Sequence, residues 1–324
     1  MSKTRVAVLR GGPSEEYDVS MKTGASVLSA LDGTRYEPVD IVITRSGEWL
    51  QDGFVRTPQN ALSTVDLAFN GLHGTYGEDG TVQRLLDKIA IPYTGSAAYS
   101  SAIAMNKALA KEHLHNLPIK VAPHMRIAGD TNSDVGRIAH MLEEMLGPEC
   151  VVKPLASGSS IGVVIANGVV ELVNALKEAF TLRAEVLVEK RIRGKEATCA
   201  VVEQFRNQQM YTLPAIEIVI PEQDAYFTHT AKYSSDTEEI CPGRFTRAEK
   251  ESIAEQAVLV HETLKLSQYS RSDFIVADDG IYFLEVNTLP GLTEQSLITR
   301  ALQAVGGSHN ELILHLLDSV LEKK

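Results

Sequence analysis

The tightest constraint on this chain is the way short apolar runs alternate with helix-patterned stretches in its first third. Residues 5–9 (Arg-Val-Ala-Val-Leu) form an apolar run that suits a buried strand, and Gly11-Gly12-Pro13 ends it. A helical pattern follows over about 18–31, with strand-like runs at 38–43 and 65–69. A helix over 81–88 then leads to Ile91-Pro92-Tyr93. Strands alternating with helices predict an α/β fold, a doubly wound parallel sheet with helices on both faces. Ligands of such sheets bind at the carboxyl ends of the strands. Gly11-Gly12 fits that crevice, and it equally fits a plain strand-to-helix turn.

After Tyr93 the pattern changes. Residues 97–115 predict one helix, and short strands at 151–153 and 186–189 flank a helix over 169–180. The stretch 196–220 is strand-rich, a polar loop covers 231–239, and 247–264 is helical. A hairpin and two closing helices, 295–304 and 310–322, complete the chain. Boundaries fall near Gly95 and, more softly, near Glu189. They divide the chain into an amino-terminal α/β substrate domain (1–94) and two α+β lobes, 95–189 and 190–324. No repeat or low-complexity linker interrupts it.

Charge and cysteine usage exclude several function classes. Asp plus Glu is 42 against 31 for Lys plus Arg, a formal charge of −11. That balance argues against nucleic acid or an anionic membrane as a partner held by bulk charge. No apolar run approaches the ~18 residues of a membrane span, and the first residues lack a signal-peptide core. Cys150, Cys199 and Cys241 are odd in number and far apart, which indicates neither a disulfide framework nor a zinc knuckle. The expectation is a soluble cytoplasmic protein.

The sharpest chemical signal is the hairpin over 271–287. Asp278-Asp279-Gly280 suits a three-residue loop closed by a glycine of positive φ, which pairs Ala277 with Ile281. Counting back opposes Asp273 to Glu285 and Arg271 to Asn287, so these four side chains share one face. A two-residue loop would put Asp273 on the other side. Two carboxylates and an amide oxygen suit Mg²⁺, a hard cation whose remaining positions phosphates and water fill. An adjacent Arg suits a developing anion. A solvated polar face would carry the same residues. Gly291 after Pro290 lets backbone amide come close to a ligand. A second signal is the strand ending at Lys153, followed by the small-residue loop 157–162. Such a loop can wrap phosphates without being a Walker A motif, and a surface turn would read alike.

Taken in order, these segments resemble the ATP-grasp superfamily, and more narrowly the D-alanine–D-alanine ligases, over essentially the whole chain. Gly11 to Ser20 is similar to the family's Gly-Gly-x-Ser-x-Glu-x-x-Val-Ser signature. Leu72-His73-Gly74 with Gly77-Glu78-Asp79-Gly80 resembles its His-Gly-x-x-Gly-Glu-Asp-Gly block. Lys153 with Gly158-Ser159-Ser160 resembles its glycine-rich loop, Ala231-Lys232-Tyr233 its active-site loop, and residues 284–297 its closing segment. Departures are Tyr17-Asp18, Arg191, and Ser272 between Arg271 and Asp273. By the pairing above, Ser272 points away from the metal face.

The resemblance implies the site. Lys107 and Lys153 would contact nucleotide phosphates or the adenine edge, Glu189 the adenine with the backbone near Ile192, and Glu196 the ribose. Lys232 would reach the terminal phosphate of ATP. Asp273, Glu285 and Asn287 would hold two Mg²⁺ ions, with Mn²⁺ as a substitute. Glu16 would pair with the ammonium of the first D-alanine, with His73 nearby, and Ser296 and Leu297 would receive the carboxylate of the second. Ser159, Tyr233 and Glu16 would close the site, while Arg271 and the Gly291 amide form the oxyanion hole. The implied activity is ATP-dependent formation of D-alanyl-D-alanine for peptidoglycan by a homodimer. Two other readings stand beside it: an ATP-grasp ligase acting on another carboxylate–amine pair (or D-alanine and D-lactate), and a nucleotide-binding protein without catalysis. His73 is readable as structural or chemical, and the other histidines as surface or packing residues.

Overall fold

The computed structural model describes residues 3–130, 132–156, 162–182, 185–219 and 237–322. Three sheets organise them. The first contains β1 (Thr4–Gly11), β2 (Tyr36–Ile43), β3 (Trp49–Gln51), β4 (Phe54–Arg56) and β5 (Leu67–Asn70), in the order β4-β3-β2-β1-β5. Its helices are α1 (Tyr17–Leu31), the short α2 (Pro58–Ala61) and α3 (Thr81–Lys88). β1 is parallel to both β2 and β5, as the alternating pattern requires. The sheet is nevertheless mixed rather than purely parallel, because β3 and β4 add an antiparallel hairpin on β2. Asp52 and Gly53, at φ of 52° and 79°, form its turn. An Asp-Gly pair between short strands is a sequence-level hairpin signal.

Residues 97–115 are two helices, not one. α4 (Ala98–Met105) stops at Asn106, whose extended backbone (φ −89°, ψ 102°) starts α5 (Lys107–His113). The Asn106 side chain accepts the Leu109 N–H at 3.1 Å, an N-cap that wins over helix continuation. Next come β6 (Lys120–Val121), β7 (His124–Ala128), α6 (Val135–Leu146), β8 (Glu149–Pro154), β9 (Val164–Asn167), α7 (Val169–Leu182) and β10 (Glu185–Lys190). The second sheet runs β7-β10-β8-β9, and Leu142, Leu172 and Leu176 of α6 and α7 seal it.

The third sheet is built from β11 (Lys195–Glu203), β12 (Met210–Thr212), β13 (Ile216–Val219), β14 (Glu238–Ile240), β15 (Tyr269–Ala277) and β16 (Gly280–Asn287). Its order is β14-β13-β11-β15-β16-β6, with β12 on β11. α8 (Arg247–Thr263) begins at a capping box, Thr246 with Glu249, and packs with α4 and α5 into one core with this sheet. α9 (Leu297–Gln303) and α10 (His309–Glu322) belong to a core shared with α1: Val27, Leu31 and Tyr36 lie with Leu312, Ile313 and Leu316. That shared core brings the loops of the first and third sheets to one cleft. No described helix is long and apolar enough to cross a membrane.

The β15–β16 hairpin departs from the expected turn. Ala277 pairs with Gly280, so the loop has two residues, Asp278 and Asp279, and the register next to it is one residue off the expectation. A bulge then corrects it. Phe274 opposes Phe283 while Asp273 opposes Glu285, leaving Leu284 as the extra residue. Phe274 and Phe283 are both fully buried, edge to face at 6.0 Å, and hold the register of the hairpin's apolar half. The pairs Asp273–Glu285 and Arg271–Asn287 therefore exist as expected, but a bulge rather than the turn produces them.

Candidate active site

At the carboxyl end of β1, Gly11 has φ +87°, and a Cβ there would stand 2.3 Å from the Ile43 carbonyl oxygen. Only glycine lets the strand end so close to β2. The Ser20 hydroxyl accepts the Gly11 N–H and donates to the Gly71 carbonyl, both at 2.8 Å, tying α1 to the ends of β1 and β5. Glu16 precedes α1 directly. Gly74 (φ +70°) faces it so closely that a Cβ would lie 2.6 Å from the Glu16 carboxylate.

His73 is buried and its tautomer follows from its partners. The Leu289 carbonyl, 2.9 Å from Nδ1, can only accept, so Nδ1 carries the proton. Nε2 then accepts from the Thr23 hydroxyl at 2.7 Å. Burial lowers the pKa of the ring, which keeps it neutral. Glu78, also buried, accepts from the Gly74 N–H (3.0 Å), the Leu289 N–H (3.2 Å) and the Thr288 hydroxyl (3.3 Å). Burial and the Glu16 carboxylate nevertheless push it up to about 7. His73 and Glu78 thus join the amino-terminal loop to residues 288–289 after β16.

On the hairpin, Arg271 grips Asp273 bidentately (3.0 Å for each contact), and Asn287 Nδ2 donates to the same carboxylate at 3.1 Å. Asp273 also accepts from the Thr198 hydroxyl of β11 at 2.5 Å. Lys107 Nζ lies 2.9 Å from Glu285. The Asp273 carboxylate outweighs the cost of burying the Arg271 guanidinium, whose pKa is raised. A cavity of about 410 Å³ gathers Glu16, His73, Arg271, Asn287, Gly291, Ser296 and Leu297. Ser296, just before α9, accepts the Thr293 N–H at 2.9 Å.

A second charged cluster lies between the second and third sheets. Glu189 of β10 is 2.5 Å from Lys153 Nζ through one oxygen and 2.9 Å from Lys111 Nζ through the other. The Lys111 contact is an ion pair between two fully buried groups. Burial alone would raise Glu189, but the two ammonium groups prevail and hold it down at about 2. Both oxygens of the carboxylate expected at the adenine face lysines of the fold. Ile192 follows β10 in irregular, half-buried chain, and Glu196 is half-buried on β11. Ser159, Lys232 and Tyr233, with the loops that carry them, lie outside the described residues.

Models of the two halves of one family match this chain: "D-ala D-ala ligase N-terminus" over residues 5–60 and 52–96, and "D-ala D-ala ligase C-terminus" over 114–318. A D-alanine–D-alanine ligase from Desulfotalea psychrophila is 38% identical over 327 residues, spanning 99% of this chain and 96% of that protein. The chain belongs to the D-alanine–D-alanine ligase family. Among solved structures, the D-Ala:D-Ser ligase VanG from Enterococcus faecalis superposes with a TM-score of 0.83 at 28% identity, covering 98% of this chain and 99% of that one. The ATP complex of the Bacillus anthracis D-alanine–D-alanine ligase does so with 0.77 at 30%, covering 98% and 97%. The architecture is the ATP-grasp fold of these ligases.

Ligases of this fold imply Mg²⁺, and the donor set fits it. Asp273, Glu285 and Asn287 offer only oxygens to a cation. Because Asn287 Nδ2 is turned to Asp273, its carbonyl oxygen is the atom left for a metal. In the described residues Arg271 and Lys107 neutralise those carboxylates. Sequence reasoning about the ligase missed Glu78 and Lys111. Glu78 sits inside the Gly-Glu-Asp-Gly block, where its position is the only sequence signal. Lys111 is four residues from Lys107 in an otherwise apolar helical stretch, a spacing that puts both ammonium groups on one face.

Proposed function

We propose that this chain joins two D-alanine molecules at the expense of ATP, releasing ADP, phosphate and D-alanyl-D-alanine, a peptidoglycan precursor for cell-wall growth and cell shape. The observation that carries the reading is one cavity lined by the Glu16 carboxylate, the Arg271 guanidinium, Gly291 and the hairpin's Asn287. Full-length similarity to ligases of this activity supports it.

In the reaction, a carboxylate oxygen of the first D-alanine attacks the γ-phosphorus, the bond to ADP breaks, and an acyl phosphate forms. Glu16 holds that substrate's ammonium, with His73 and Glu78 fixing the wall behind it. Asp273, Glu285 and Asn287 would hold Mg²⁺, which offsets phosphate charge when bound. The deprotonated amine of the second D-alanine attacks the acyl carbon. Arg271 and the Gly291 N–H receive the oxyanion, a donor effect of about 3–4 kcal/mol in enzymes of known energetics. Phosphate then leaves with the oxygen that attacked it. Ser296 and Leu297 bind the second carboxylate. Lys107, Lys153, Glu196 and the backbone at Ile192 serve the nucleotide. Ser159, Lys232 and Tyr233 keep the roles the resemblance implies, as does homodimer assembly. A protein that spends ATP on a cell-wall precursor works in the cytoplasm.

The test is phosphate release with product mass spectrometry across D-alanine, D-serine, D-lactate and L-alanine. D-alanyl-D-alanine as the dominant product at neutral pH is expected. Turnover confined to L-alanine would overturn the reading.

A further inference from the structure

The Lys111–Glu189–Lys153 cluster sets two lysine Nζ atoms against the two oxygens of one carboxylate, all with almost no exposure. Glu285, the next carboxylate, is already paired with Lys107. A buried carboxylate is costly to leave without a cation.

The two lysines are anchored differently. Lys111, on α5, is clamped from both sheets: Glu189 lies on β10, and the Phe283 carbonyl of β16 accepts from its Nζ at 3.1 Å. Its ammonium also lies 5.7 Å from the centre of the Phe283 ring. Lys153 stands at the end of β8, where the chain leaves the sheet. The Leu155 carbonyl just beyond accepts the Lys107 N–H at 3.0 Å, so this strand end faces the start of α5 and the hairpin oxygens.

We propose that Lys111 is a positioning residue for the nucleotide, the standing counter-charge of Glu189 that lets Lys153 leave that carboxylate for a phosphate of ATP. Without Lys111, moving Lys153 would strand a buried carboxylate, so Lys153 stays and the phosphate loses its partner. The inference rests on ATP being the nucleotide used.

The test is steady-state kinetics on the full chain for wild type, Lys111→Met, Glu189→Gln and the double variant, with thermal melts to confirm folding. Lys111→Met should raise the KM for ATP by roughly tenfold or more while the KM for D-alanine stays nearly constant. In the Glu189→Gln background the same substitution should matter far less, because no buried carboxylate then needs a cation. Lys111→Gln keeps a donor for the Phe283 carbonyl but loses the charge, and it must show the same ATP-specific rise. An equal loss in both backgrounds, or equal rises in the two KM values, would make Lys111 merely structural and overturn the proposal. Wild type without ATP-dependent turnover would instead refute the functional reading itself.

Discussion

Glu189 and Glu78 are both buried, yet one is held at about 2 and the other pushed to about 7. Burial penalises the charged form of each. Glu189 is answered by two ammonium groups, whereas Glu78 faces a neutral imidazole and the Glu16 carboxylate. Three hydrogen-bond donors to Glu78 do not reverse its shift. The sign of the neighbouring charge decides between them. The two carboxylates end in opposite states: Glu189 is a fixed anion between Lys111 and Lys153, and Glu78 is shifted toward neutrality at the wall of the cavity.

The largest expected effect comes from abolishing the contrast at Glu189. Replacing Lys111 and Lys153 together with Met leaves the carboxylate without a cation and should cost about 3–5 kcal/mol of stability, read by denaturant unfolding. A cost within about 0.5 kcal/mol would mean that the cluster is not an ion network.

Next in size is Glu78→Gln. Whichever way the new amide turns, its NH₂ faces a backbone N–H, that of Gly74 or that of Leu289. The expected loss is about 1–3 kcal/mol by the same unfolding measurement. A neutral outcome would show that Glu78 is not the shared acceptor.

The pH dependence sharpens the comparison further, with opposite signs at the two residues. Glu78 is raised, so its contribution to stability is full below its ordinary 4.5 and fades as pH rises through about 7. Glu189 is depressed, so its contribution is present above 4.5 and is lost as pH falls through about 2. Denaturant melts should therefore show wild type losing stability relative to Glu78→Gln as pH climbs from 4.5 to 7. A gap constant over that window would contradict the raised carboxyl. The smallest effect belongs to Glu16→Gln, which removes the like charge and should move the Glu78 transition to lower pH. It should also raise the KM of the first D-alanine while ATP binding hardly changes.

How far the sequence reached depends on whether a feature is local. The β1 run and the Gly11 turn are each written in a few neighbouring residues and appear in the fold, whereas the four-residue hairpin face appears through a bulge and not through the expected turn. The hairpin's bulge was not legible, because burial of Phe274 and Phe283 against distant helices sets it. The split at Asn106 was legible as an N-cap, and helical periodicity on both sides masked it. Lys111 and Glu78 were harder still. Each meets its partners across long sequence separations, with β10 and β16 for Lys111 and residues 288–289 for Glu78. The Ser159 and Tyr233 readings rest on resemblance.

The most direct test of the account follows one oxygen atom. If the carboxylate of the first D-alanine attacks the γ-phosphate, an oxygen of that carboxylate must leave with the phosphate when the peptide bond forms. D-alanine carrying heavy oxygen in its carboxylate is incubated with ATP and Mg²⁺, and the released phosphate is analysed by mass spectrometry. One heavy oxygen in each phosphate is the predicted result. Unlabelled phosphate alongside D-alanyl-D-alanine would contradict the acyl phosphate and the roles given to Arg271 and Gly291.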